Sequence, residues 1–114
     1  MPTHKQKVVA IKTVPIDEAI IAIVTYLNSH ERVHTLYSCQ GRGTQFDSGG
    51  ISLCIYEPRK EHMLREMFQP YARLKALPLQ HIPHALYLAF YSVDDRDHAE
   101  EMCAMSLASM TLPL

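Results

Sequence analysis

The four glycines of this chain all lie within ten consecutive positions, from Gly41 to Gly50. Glycine can adopt positive φ and lets the backbone approach a ligand or another chain closely, so this concentration marks one segment as conformationally special. The runs on either side, residues 33–39 and 51–56, are rich in β-branched and aromatic residues and predict two strands. We therefore expect a hairpin with a long connection, and we call residues 38–50 the glycine loop.

Hydrophobic periodicity predicts a strand and a helix before this hairpin. Residues 7–14 are rich in β-branched side chains and stop at Pro15, which is typical of a strand. Pro15, Asp17 and Glu18 then suit the first turn of a helix. The apolar residues that follow recur at helical spacing and are expected to form one buried face: Ile16, Ala19, Ile20, Ile23, Val24 and Leu27.

A helix, a strand and a last helix are predicted after the hairpin. Pro58 opens a helix that Pro70 should kink or end nearby. The alternating run at 85–91 predicts a fourth strand, and Asp94 or Asp95 is expected to cap the last helix. The second helix is expected to bury Met63, Leu64, Met67, Phe68 and Tyr71. The last helix is expected to bury Ala99, Met102, Cys103, Ser106 and Met110.

The resulting order is β-α-β-β-α-β with an additional C-terminal helix. This order predicts an α+β domain with a ferredoxin-like split βαβ arrangement, a four-stranded antiparallel sheet with two helices on one face. A chain of 114 residues suits one domain spanning 1–114. The pattern leaves open whether the last helix covers the second sheet face or leaves it as a binding surface, and whether two copies form a homodimer.

Composition narrows the classes of partner. A net charge of −1 argues against a dedicated binder of duplex nucleic acid, which needs a field of cationic side chains. No apolar run reaches the roughly 18 residues that a membrane span requires, and we expect no membrane partner. The three cysteines lie far apart, which indicates a reducing compartment, so we expect a cytoplasmic protein without a disulfide framework.

The glycine loop is the candidate site, because it offers backbone amides, hydroxyls and Arg42, the groups that bind phosphates or carboxylates. It lacks the spacing of a P-loop and leads into a strand, so a flexible hairpin tip, an anion or nucleotide contact and a protein-recognition loop all remain open. The candidate binding residues are Tyr37, Ser38, Cys39, Gln40, Gly41, Arg42, Thr44 and Tyr56.

No catalytic residue or metal ligand is assigned, and the cofactor is unknown. Cys39 and His34 differ in strand parity, which places them on opposite sheet faces unless a bulge intervenes, so we expect Cys39 to be a buried structural cysteine. Among the seven histidines only His81 and His84 are close in sequence, and no cysteine or carboxylate is suitably spaced to complete a metal site with them.

The segment 16–56 resembles small bacterial and phage proteins with a Leu-Asn, then Thr-x-x-Ser-Cys-Gln/Glu-Gly pattern, matched here by Leu27-Asn28 and Thr35 to Gly41. Tyr37-Ser-Cys-Gln-Gly-Arg42 is more distantly similar to the Ser-Ser-Cys-x-Gly-Arg segment of the tRNA wybutosine-synthesising methyltransferases. That second resemblance implies S-adenosylmethionine and a tRNA substrate.

Together these patterns predict a small non-enzymatic binding module, in keeping with a phage or mobile-element accessory protein. It would engage a host protein or a nucleotide-like ligand through the glycine loop, with Gln40 and Arg42 as polar contacts and Tyr37 and Tyr56 as aromatic residues at the rim. The alternative is an enzyme that acts on RNA or modified nucleotides, with Cys39 or Arg42 at its site.

Overall fold

The computed structural model describes residues 6–9, 14–42, 47–77 and 84–111. Six strands lie along this part of the chain: β1 (Gln6–Val9), β2 (Val14–Asp17), β3 (Val33–Cys39), β4 (Gly50–Ile55), β5 (Ala72–Leu77) and β6 (Ala85–Phe90). It also forms three α-helices: α1 (Ile21–Ser29), α2 (Pro58–Phe68) and α3 (Val93–Thr111). The fold is α+β, as predicted.

The main sheet has four strands in the order β3-β4-β6-β5, and every neighbouring pair is antiparallel. It is built from two successive helix-hairpin units, α1-β3-β4 and α2-β5-β6, which meet where β4 pairs with β6. The four-stranded antiparallel sheet was predicted, but the ferredoxin-like strand order is not confirmed. The fourth strand of the sheet is β5, not the strand predicted near the N-terminus.

The N-terminal strand expected at 7–14 is instead part of a separate hairpin. β1 and β2 pair only with each other, and Val8 lies opposite Pro15. Both strands of a two-stranded sheet have a free edge, so a proline that cannot donate an N–H is tolerated there. Because β2 continues to Asp17 and a 3₁₀ turn (Glu18–Ile20) follows, α1 begins later than predicted.

The pattern-based prediction missed β5, the edge strand that follows α2. Its sequence, Ala-Arg-Leu-Lys-Ala-Leu, alternates as a strand should, but alanine and lysine are depleted in strands and the run contains no β-branched or aromatic residue. Pairing with β6 along its whole length, from Ala72 opposite Phe90 to Leu77 opposite Ala85, overrides this weak local preference.

One hydrophobic core lies between one face of the sheet and the helices. It contains residues of α1, α2 and α3 together with alternate residues of the central strands: Ile23, Leu27, Leu64, Phe68, Ala99, Cys103, Ile51, Leu53, Ile55, Leu86 and Leu88. The apolar face predicted for α1 is therefore confirmed. Two predicted core positions were wrong, because Met63 is 37% exposed and Met110 is 58% exposed.

Helix α3 is capped by Ser92 and not, as predicted, by Asp94 or Asp95. The Asp95 backbone N–H donates to Ser92 Oγ (3.0 Å), and the Ser92 hydroxyl donates to Asp95 Oδ2 (2.8 Å). The first bond is the N-cap half of a capping box, while the acid three residues into the helix bonds the Ser92 hydroxyl instead of its backbone N–H. For α2 the prediction was correct, since the helix ends at Phe68, before Pro70.

Asn28 attaches the end of α1 to strand β3. Its Nδ2 donates to Thr35 Oγ1 (2.8 Å), while its Oδ1 accepts from the Thr35 backbone N–H (3.1 Å). The pairing of β3 with β4 shifts register between Thr35 and Tyr37, so Leu36 is an extra, bulged residue. Thus two residues of the motif noted in the sequence, Asn28 and Thr35, are hydrogen-bonded to each other.

Candidate functional site

The base of the glycine loop is a tight backbone crossing. Gly41 and Gly49 have φ of +82° and +93°, and the Arg42 backbone N–H donates to the Asp47 carbonyl (3.1 Å). A Cβ at Gly41 would collide with the backbone of Asp47, and one at Gly49 with the backbone of Cys39. These two glycines therefore serve close packing of the chain against itself, not the freedom of a flexible tip.

Gln40 connects the loop to three other elements. Its backbone N–H donates to Asp17 Oδ2 (2.9 Å), and its side-chain Oε1 accepts from the Ala19 N–H (2.9 Å). Its carbonyl oxygen accepts from Arg96 Nη1 (2.6 Å). The predicted polar contact for a ligand is thus occupied inside the protein, and both Asp17 and Arg96 are buried.

Helix α3 also supplies the cap of α1. Glu100 accepts hydrogen bonds from the backbone N–H groups of Ala22 and Ile23, both at 2.8 Å. These are orphan donors of the first turn of α1, where a carboxylate is favoured. Burial nevertheless raises the pKa of Glu100 above its ordinary 4.5, outweighing the lowering effect of the two hydrogen bonds.

The face of the main sheet opposite the core carries exposed aromatic and basic side chains. We call it the open sheet face. The pairing of the strands places its residues in three successive rows that run across the sheet. The central row is Tyr37, Ser52, Tyr87 and Lys75. The rows beside it are Cys39, Gly50, Ala89 and Arg73 on the loop side, and His34, Cys54, Ala85 and Leu77 on the other. Because the α3 residues Ala99 and Cys103 lie in the core on the opposite side, this helix does not cover the open sheet face.

Two tyrosines and a thiol come together on this face. The Tyr37 phenol is hydrogen-bonded to the Cys39 thiol, and the Cys39 charge and this hydrogen bond raise the pKa of Tyr37. The Tyr87 ring lies over Gly50, where a Cβ would collide with its hydroxyl. Burial, then Cys39 and Asp47, raise the pKa of Tyr87. Both phenols are therefore neutral donors near pH 7.

The structure places the predicted site residues that it describes in three different positions. Tyr37 and Cys39 lie together on the open sheet face, and the exposed Arg42 follows at its loop end. Ser38 pairs with Ile51 on the core side, and Gln40 and Gly41 belong to the packed loop base.

Tyr56 lies just beyond the far end of β4, four residues after Ser52 or about 13 Å along the strand direction. Thr44 lies outside the described residues.

The bulge that was named as the exception to the parity argument is present at Leu36, and it places His34 and Cys39 on the same, open sheet face. They pair with Cys54 and Gly50, which are about 13 Å apart along β4, so the two side chains do not form a dyad. Cys39 is half-buried. Cys39 is therefore not the buried cysteine that was expected. The buried thiols are Cys54 and Cys103, and at Cys103 burial raises the pKa to about 12.

The remaining predicted features have plain outcomes within the described ranges. There, no group of three metal-ligating side chains comes together. His84 has a φ of 56° and its Nδ1 lies 3.7 Å from a Glu61 carboxylate oxygen, whereas His81 is outside the described residues. None of the helices described is long and apolar enough to cross a membrane.

Sequence patterns failed to identify residues that support the glycine loop and α1, and also residues of the open sheet face. Asp17 was assigned to the first turn of a helix, and Arg96 and Glu100 were given no role; the one signal in the sequence is that Arg96 stands alone among acidic residues. Lys75 and Tyr87 were missed as a pair because β5 was not predicted.

Comparison of the chain with protein-family models gave no match, and neither did comparisons with curated proteins and with solved structures.

Proposed function

We propose that this protein is a small binding module whose working surface is the open sheet face at the end nearest the glycine loop. The observation that carries the proposal is the central row, in which Tyr37 is 63% exposed and shares one face with Tyr87 and Lys75. Tyrosine combines a large apolar ring with a hydroxyl donor and is enriched at recognition surfaces.

In this proposal the glycine loop mainly positions the binding surface and makes few direct contacts with the ligand. Gln40 and Gly41 are used within the fold, which leaves Arg42 as the exposed side chain of the loop start. Arg42 is the third residue after β3 ends at Cys39, so it stands at the loop end of the open sheet face and can reach a ligand bound there.

The partner classes are those that the sequence suggests, a host protein or a nucleotide-like ligand, in a phage or mobile-element setting. An enzyme acting on RNA or modified nucleotides is a second candidate. It draws support from the half-buried Cys39 thiol beside two phenols. A thiol nucleophile also requires a base or cation close by, and His34 is two rows away on the sheet.

A matched pair of variants tests the binding surface. Tyr37→Ser removes an exposed ring from the open sheet face, whereas Met105→Ser removes an exposed side chain, 66% exposed, from α3. Thermal shift is measured against nucleotides and S-adenosylmethionine, with capture from a bacterial lysate in parallel. We expect Tyr37→Ser and Arg42→Ala to lose the ligand response while Met105→Ser keeps it. A ligand that binds all three variants equally would contradict the proposal, and an S-adenosylmethionine response lost in Cys39→Ser would support the enzyme.

A further inference from the structure

The charge on the open sheet face differs from that of the whole chain. Its strand positions carry no carboxylate in the described residues, and Arg73 and Lys75 lie exposed side by side along the β5 edge. Neither cation forms an ion pair or hydrogen bond within the described part of the chain. Five of the twelve acidic residues lie instead on α3, which packs on the core side: Asp94, Asp95, Asp97, Glu100 and Glu101.

Exposed aromatic rings accompany this basic edge. Tyr37, Tyr56 and Tyr91 are 63%, 46% and 53% exposed. By strand alternation Tyr56 and Tyr91 continue the open sheet face just beyond β4 and β6, and the Tyr56 ring meets His34 edge to face, with centroids 6.0 Å apart. In the described residues two carboxylates come near the face at its loop end: Asp47 contributes to the raised pKa of Tyr87, and Asp17 contributes to that of Tyr37.

Exposed rings that share a sheet face with a row of cations along one edge match a polyanion whose flat groups are unpaired. Aromatic side chains stack on the bases of single strands, and a neighbouring basic edge follows the phosphates. A base-paired duplex offers no unstacked base to a flat sheet, and the few cations here are too sparse for tight duplex binding. An apolar protein segment would leave Arg73 and Lys75 without partners.

We propose that the open sheet face binds single-stranded nucleic acid, with bases stacked on Tyr37 and Tyr87 and the phosphate backbone along Arg73 and Lys75. This inference rests on the proposed function and names the ligand class for the same surface. Ser52, between the two tyrosines, supplies a hydroxyl for a base edge.

Fluorescence anisotropy with labelled ten-nucleotide oligomers tests the proposal, using oligouridine, oligothymidine and a duplex of the same length. We expect both single strands to bind more tightly than the duplex, and a preference for oligouridine would indicate RNA as the source. Tyr37→Ala should weaken binding of the single strands about fivefold to 150-fold, the range for loss of one stacked base.

Charge variants provide the matched control. Lys75→Gln should lower the slope of log affinity against log salt by about 0.7, the value for one phosphate contact on a single strand. Arg59→Gln changes the net charge equally but lies exposed on α2, so it should leave the slope unchanged. Equal effects of the two variants would overturn the inference, because binding would then follow net charge alone.

Two further outcomes would also overturn it. One is the absence of binding by any oligomer at about 100 μM protein, the weak end of nonspecific association. The other is a concentration-dependent dimer, seen by sedimentation, that Tyr37→Ser abolishes. The dimer would place a second copy on the open sheet face and would leave the proposed binding function intact. Failure of that function itself would appear separately, as a ligand response insensitive to Tyr37→Ser.

Discussion

The carboxylate of Glu100 is the main electrostatic connection between α3 and α1, and its replacement makes a sharp prediction. In Glu100→Ala the N–H groups of Ala22 and Ile23 both lose their acceptor. An unsatisfied backbone donor costs about 1–3 kcal/mol, and water can reach these half-buried groups in part, so we expect a loss of about 2–4 kcal/mol. Glu100→Gln keeps one carbonyl acceptor, as the protonated carboxyl does, and should cost less than Glu100→Ala.

The pH dependence of this cost has a defined sign. Because the folded pKa of Glu100 is raised above 4.5, its contribution to stability is fully present below pH 4.5 and is lost as the pH rises through the folded pKa. The stability difference between wild type and Glu100→Gln should therefore be largest at acid pH and should shrink toward neutrality.

Urea unfolding followed by circular dichroism between about pH 4 and pH 7 measures this difference. Glu101→Gln, a neighbouring exposed carboxyl on α3, is the control and should show almost no loss at any pH. A gap between wild type and Glu100→Gln that widens toward neutral pH would refute the reasoning, because the two hydrogen bonds would then outweigh burial.

Three other changes test the fold. Leu53→Ala should cost about 2–5 kcal/mol in urea unfolding, since Leu53 is 1% exposed in the core, and a loss below about 0.5 kcal/mol would contradict that placement. Gly41→Ala should cost at least about 1 kcal/mol through its positive φ and its collision with Asp47, and an unchanged midpoint would refute the tight loop base. In thiol titration of the folded protein near pH 8, Cys39 should react while Cys103 stays silent; fast reaction of Cys103 would contradict its burial.

Local patterns predicted the elements with strong periodicity. The alternation of Ile51, Leu53 and Ile55 and the helical spacing of Ile23 and Leu27 correspond to the buried faces in the structure. Such residues are recognisable because side-chain direction follows from the period of a strand or a helix. The boundaries were less well predicted, since Ser92 takes the capping role from the neighbouring acids.

Pairing across distance could not be predicted in this way. β5 is a poor strand by composition and exists because β6 offers a complete partner edge. The glycines were identified correctly as special, but whether a glycine serves a ligand or its own backbone depends on what lies opposite, here Asp47 and Cys39. The bulge at Leu36, which reverses parity along β3, likewise becomes visible only once β3 and β4 are paired.

The recognition surface is tested most directly by a two-dimensional amide NMR titration of the wild-type protein with a ten-nucleotide oligouridine. If bases stack on the open sheet face, the largest shift changes should fall on the central row, at Tyr37, Ser52, Lys75 and Tyr87, while α3 amides such as Met105 stay in place. Changes concentrated on α3, or no change on the strands at saturating oligomer, would contradict the assignment of this face.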